Sequence, residues 1–121
     1  MVTVMVVDDS HAQREMLSEL LQNHGIKIIE ANDGLEAQEM LKETVPDLVI
    51  TDLIMPEING YELCRWIKNN LATKDVPVLV CSTKSEDFDR YWGMKQGADA
   101  YLTKPFSAPE LVKTVKHLLA G

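Results

Sequence analysis

Five short apolar runs, each followed by an amphipathic stretch, set the strongest constraint on how this chain folds. They are residues 2–7, 26–31, 48–52, 78–81 and 99–103. Each is rich in Val, Ile or Leu, or bounded by Gly and Pro, and each is too short for a helix, so all five read as strands. The intervening stretches carry helix punctuation instead. Ser10-x-x-Gln13 has the form of a capping box, and Met16, Leu17, Leu20 and Leu21 follow at helical spacing up to a stop at Gly25. Asp33-x-x-Glu36 opens a second helix with Ala37, Met40 and Leu41 on one face, and Pro46 ends the connection. Asn59-x-x-Glu62 opens a third, with Leu63, Cys64, Ile67 and Leu71 as its inner face.

A fourth helix is expected over residues 86–96, carrying Phe88, Tyr91 and Trp92 and stopping at Gly97. It has two candidate starts, Thr83-x-x-Glu86 and Ser85. Ser107-x-x-Glu110 opens the last helix, with Leu111, Val115, Leu118 and Leu119 inward. Strictly alternating strands and helices with short connections imply an α/β domain. Its core is a five-stranded parallel sheet with helices on both faces, a doubly wound (βα)5, flavodoxin-like arrangement.

At 121 residues the chain is expected to be one domain over 1–121, with no fused output domain and no signal peptide. No apolar run approaches the ~20 residues of a membrane span. A formal charge of −7 argues against sequence-independent binding to nucleic acid. Cys64 and Cys81 lack metal-ligand spacing and read as reduced core thiols of a cytoplasmic protein. His11, His24 and His117 are isolated and read as solvated helix residues, and Trp66 as flanking the core face of the third helix.

The chemistry lies at the strand ends. The first run delivers Asp8-Asp9, the third Asp52, the fourth Ser82-Thr83 and the fifth Lys104. A lone aspartate at such a position more often caps a loop. In a parallel sheet, however, all these ends share one edge, where ligands bind. Three converging carboxylates repel one another unless a hard cation sits among them, and an all-oxygen set suits Mg²⁺ or Mn²⁺. With an ammonium and a hydroxyl beside them, the group is competent for phosphoryl transfer.

These residues carry a resemblance. Val6-Val7-Asp8-Asp9-Ser10, Asp52-Leu53-Ile54-Met55-Pro56 with Gly60, Ser82-Thr83, and residues 97–106 ending in Thr103-Lys104-Pro105-Phe106 resemble, in this order, the receiver domains of two-component response regulators. The likeness is to the stand-alone CheY-like kind and runs over essentially the whole chain. Residues 83–93 are similar to regulators of type IV pilus (twitching) and phototactic motility.

The resemblance implies a set of roles. Asp52 would be the phosphoacceptor, taking a phosphoryl group from a partner histidine kinase. Asp9 and Asp52 would ligate Mg²⁺ directly, Asp8 through water, and Ile54 through its backbone carbonyl. Lys104 and Ser82 would contact the phosphoryl oxygens, with the Thr83 amide beside them. Lys104-Pro105 matches a position that is often cis. Phosphorylation would draw Ser82 inward and let Tyr101 turn into the vacated space. That would change a face built by the fourth helix, fifth strand and fifth helix, where Arg90 and Trp92 would meet a downstream partner such as a motility apparatus. Without the resemblance, Tyr101 reads as an ordinary amphipathic strand residue, and Phe88, Tyr91 and Trp92 as core or boundary.

Other functions fit the same residues. The domain could drain phosphate from another regulator, or serve as an unphosphorylated protein-interaction module. A metal-dependent phosphohydrolase is disfavoured, because Ile54 occupies the natural position of its second acid/base carboxylate. The chain is therefore expected to catalyse nothing beyond its own phosphorylation and dephosphorylation.

Overall fold

Strands buried on both faces must feed two cores, and their side chains do so alternately. The computed structural model describes residues 1–84 and 87–121, with 87–90 described by backbone alone. In chain order the elements are β1 (Thr3–Val7), α1 (His11–Gln22), β2 (Lys27–Ala31), α2 (Gly34–Leu41), β3 (Leu48–Asp52), α3 (Gly60–Lys68), β4 (Val78–Ser82), α4 (Asp87–Lys95), β5 (Ala100–Thr103) and α5 (Ala108–Ala120). All neighbouring strands are parallel, in the order β2-β1-β3-β4-β5. The order reverses at β1, so the crevice of a doubly wound sheet opens between the carboxyl ends of β1 and β3.

Val4 and Val6 of β1, Leu48 and Ile50 of β3, and Leu79 and Cys81 of β4 meet Leu17, Leu21, Leu111 and Val115 of α1 and α5. The alternate residues Met5, Val7, Val49, Val78 and Val80 meet Ala37 and Leu41 of α2 and Leu63, Cys64 and Ile67 of α3. The two cysteines are thus free thiols in different cores. Burial pushes Cys64 up to about 11 and Cys81 up to about 12. Trp66 packs part-buried against the α2/α3 core, as expected.

Each expected N-cap within the described residues is formed, but the capping box expected at Ser10-x-x-Gln13 is only half made, because Ser10 N–H goes to Asp8 Oδ1. Ser10 Oγ accepts from Gln13 N–H, Asp33 Oδ1 from Glu36 N–H, and Ser107 Oγ from Glu110 N–H. At α3 the box is complete, with Asn59 and Glu62 bonding each other's backbone N–H. Both starts considered for α4, Thr83-x-x-Glu86 and Ser85, involve residues outside those described.

Two packing expectations fail. Leu71 is 88% exposed, because α3 stops at Lys68. Asn69 caps that end and the Asn70 side chain donates to Trp66 C=O, so the apolar spacing outruns the helix. Met16 is 51% exposed, because it sits at the edge of the α1 stripe, whose buried positions are Leu17, Ser18 and Leu21. No described helix is long and apolar enough to cross a membrane.

Ser18 Oγ is buried in α1 with no hydrogen-bond partner among the described residues. An unpaired buried hydroxyl costs stability, and Ala is the better helix former. Ser18→Ala should therefore raise the unfolding free energy by about 1 kcal/mol in urea denaturation. A loss of stability would show that the hydroxyl has a partner in solution.

Candidate metal and phosphoryl site

Register brings the strand ends level. Val7 stands opposite Thr51, Asp52 opposite Cys81, and Ser82 opposite Thr103, so the residues that follow emerge on one edge. There one carboxylate oxygen from each of Asp8, Asp9 and Asp52 lies within 4.8 Å of the others. Asp8 is buried and Asp9 exposed, with Asp52 between these extremes.

Lys104 is the cation set against them. Its ammonium lies 3.3 Å from Asp8 Oδ2 and 3.4 Å from Asp52 Oδ1, and only 14% of the side chain is exposed. Its own N–H donates to Ser82 C=O at 2.7 Å, and the Lys104–Pro105 peptide is cis, as expected. The other oxygen of Asp8 accepts from Ser10 N–H at 2.9 Å, which fastens that carboxylate to the start of α1.

Asp52 is held from behind by a close backbone approach. A Cβ on Gly60 would stand 2.4 Å from Asp52 O, so only glycine lets α3 begin there. Gly60 N–H donates to Leu53 C=O at 2.8 Å, and Thr51 Oγ1 donates to Asp52 C=O at 2.9 Å.

The charges do not balance. Burial raises the Asp52 carboxyl above its usual value; Lys104 opposes this and Asp8 reinforces it. Burial also works against a charged Lys104, but Asp52 and Asp8 together outweigh it and hold the ammonium above its usual value. Two crowded carboxylates share one ammonium, and a third is exposed beside them. A hard divalent cation fits that deficit and the all-oxygen donors, and the exposed Asp9 leaves room for its waters.

The β4–α4 turn is fastened from two sides. Ser82 Oγ accepts from Lys84 N–H at 3.1 Å, and Tyr101 OH donates to Lys84 C=O at 2.7 Å. Tyr101 is buried, with its ring against α4, where a Cβ on Gly93 would stand 3.2 Å from Tyr101 Cδ2. Its ring joins the core on the α2/α3 side of the sheet, while its hydroxyl reaches the turn. Thr83 and Ile54 are exposed around the mouth.

On α4, Tyr91 is 58% and Trp92 46% exposed, so of the two positions expected, core or boundary, they are not in the core. That helix packs on the sheet through Gly93, and the two aromatics fall on its outer side. The side chains of Phe88 and Arg90 lie outside the described residues. His11 and His117 are exposed helix residues, while His24 lies in the turn after α1 and bonds Leu20 C=O.

Arg14 is a residue that sequence reasoning missed. Its Nη1 donates to Asp8 C=O at 2.7 Å and to Asn32 Oδ1 at 3.0 Å. Asp8 precedes the helix and Asn32 follows the next strand, so helical periodicity gave no signal.

The profile of the response regulator receiver domain family matches residues 4–116. Protein PilH of Pseudomonas aeruginosa is 35% identical over 121 residues, spanning 100% of both chains. Protein PilG of the same organism is 42% identical over 113 residues, 93% of this chain and 84% of PilG. The solved structure of the chemotaxis response regulator CheY4 of Vibrio cholerae superimposes with a TM-score of 0.92 at 32% identity, covering 98% of each chain. This chain belongs to the response regulator receiver domain family.

The raised Asp52 carboxyl has a consequence for stability. Relative to its ordinary value of 3.8, the folded chain holds this proton more tightly than the unfolded chain does. The stability so gained is fully present below 3.8 and is lost as the pH rises through the raised value. Asn imitates the neutral side chain and escapes that loss. In chelator at neutral pH, Asp52→Asn should be more stable than wild type in urea denaturation, with the difference closing as the solution is acidified. A less stable variant at neutral pH would mean that pairing with Lys104 outweighs burial.

Proposed function

We propose that this receiver domain is a phosphorylation-controlled switch of a chemosensory pathway, with Asp52 as phosphoacceptor. The observation that carries the reading is the convergence of Asp8, Asp9, Asp52 and Lys104 at one sheet edge. An Asp52 carboxylate oxygen attacks the phosphorus of a phosphohistidine on a histidine kinase. The O–P bond forms as the P–N bond breaks, and the electron pair stays on the imidazole nitrogen, which takes up a proton. Asp8, Asp9, Asp52 and the Ile54 carbonyl would hold Mg²⁺, which when bound neutralises charge on the phosphoryl oxygens. Lys104 pairs with one of those oxygens, and the Thr83 amide and Ser82 hydroxyl donate to others.

In the switch that follows, Ser82 Oγ, which accepts from Lys84 N–H, donates its own O–H to a phosphoryl oxygen and is drawn towards it. Tyr101 OH holds the carbonyl of the same Lys84, so a pull on Ser82 reaches the buried ring. That ring lies under α4, whose outer side carries Trp92. The face formed by α4, β5 and α5 thereby changes its affinity for a downstream protein. The likeness to PilH and PilG, with that of residues 83–93, supports a motility role of the twitching kind. We place the domain in the cytoplasm, where its two thiols stay reduced.

Intact mass after incubation with acetyl phosphate and Mg²⁺ tests the chemistry. One added phosphoryl group is expected on wild type, and none on Asp52→Asn or in chelator. No adduct on wild type would overturn the reading in favour of an unphosphorylated interaction domain.

Ile54, 56% exposed two residues after Asp52, offers no hydrogen bond to a water attacking the acyl phosphate. An Asn there could orient that water through a bond worth about 1 kcal/mol, roughly fivefold in rate. Ile54→Asn should accordingly shorten the lifetime of the phosphorylated domain. An unchanged or longer lifetime contradicts this.

A further inference from the structure

Arg14 is surrounded by acceptors on three sides, and its side chain is only 13% exposed. Nη1 donates to Asp8 C=O at 2.7 Å and to Asn32 Oδ1 at 3.0 Å, and Nε donates to Glu30 Oε1 at 3.3 Å. Nη2 faces His11 Nδ1 at 3.3 Å. Glu30 belongs to β2 and Asn32 follows its end, while Asp8 and Asp9 form the turn after β1. One guanidinium on α1 thus ties that turn to the end of the neighbouring strand.

The tie falls on the peptide that joins the two acidic residues. The carbonyl of Asp8 is the oxygen Arg14 grips, so that peptide plane is set by a short charge-assisted bond. Asp8 N–H is fixed in turn to Ala31 C=O at 3.3 Å, beside the same end of β2. With both sides of Asp8 anchored, the direction in which the exposed Asp9 leaves the turn is restricted. A flexible turn would pay ordering entropy each time its carboxylates converged on a cation, and a pre-set turn does not.

We propose that Arg14 is a positioning residue for the divalent cation, acting through the Asp8–Asp9 peptide and not through its charge. The proposal rests on Asp8, Asp9 and Asp52 forming a Mg²⁺ site. Charge and positioning act with opposite sign, which makes them separable. A nearby guanidinium repels a cation, and removing it would also release Glu30 from its ion pair and leave the edge more negative. Electrostatics alone therefore predicts tighter Mg²⁺ binding without Arg14. Positioning predicts weaker binding.

The test is calorimetric titration of the unphosphorylated domain with Mg²⁺, for wild type, Arg14→Met, Arg14→Lys and Asp9→Asn. Circular dichroism and chelator-treated unfolding check that each variant is folded. Arg14→Met should bind Mg²⁺ roughly tenfold more weakly, the usual scale for loss of a group that orients a ligand. Arg14→Lys keeps the charge but loses the planar fork, and it should also bind more weakly than wild type. It serves alone if Arg14→Met does not fold. Wild-type or tighter affinity in the folded Arg14 variants would overturn the proposal while leaving the metal site standing. If wild type does not bind Mg²⁺, or Asp9→Asn binds as well as wild type, the metal site itself is misassigned and the proposal falls with it.

Discussion

The ammonium of Lys104, 3.3 Å from Asp8 and 3.4 Å from Asp52, is the contact on which this site depends. The two carboxylates belong to different strand ends and are drawn from water, and each repels the other. A third strand end, β5, puts a cation between them, and β4 and β5 are in register at Ser82 and Thr103. Parallel order is therefore a requirement of the chemistry as much as of the packing. An antiparallel strand at either position would carry its terminal residue to the far edge.

Among the described residues one ammonium stands against this acidic group, which leaves a shortage of positive charge. A protein needing only stability would be served better by apolar groups there, since buried ion pairs seldom repay their desolvation. An edge left short of cations suits a divalent ion, whose charge would in turn offset that of an incoming phosphoryl group. The backbone around it is fixed from several directions: Gly60 against Asp52, Ser10 N–H on Asp8, and Arg14 on the Asp8 carbonyl. Ser82 and Tyr101 together fasten the turn after β4 and join it to the packed layer under α4.

Much of this was legible before any coordinates. Alternating apolar runs fixed the strand count, and polar residues at Ser10, Asp33, Asn59 and Ser107 marked four helix starts that are formed. The carboxylates and Lys104 were legible as strand-end residues, because a parallel sheet admits one edge for them. Where reasoning failed, the cause was a contact distant in sequence or a helix end. Leu71 keeps the spacing of α3, yet asparagines at 69 and 70 end the helix first. Tyr91 and Trp92 read as core or boundary by type, and the core is excluded because α4 turns Gly93 inward. Arg14 resembles any surface cation until Glu30 and Asn32 are brought beside it. The hydroxyl of Tyr101 meets the Lys84 carbonyl, a backbone partner that no pattern of side chains encodes.

The most direct measurement of the central claim is chemical mapping of the acyl phosphate. The domain is phosphorylated by acetyl phosphate, reduced with borohydride, digested and sequenced by mass spectrometry. Reduction converts a phosphorylated aspartate to homoserine and leaves free carboxylates alone. Homoserine confined to position 52 is the result this account predicts. Homoserine at position 8 or 9 instead would contradict it, because the carboxylates assigned to the cation would then be the ones that carry phosphate.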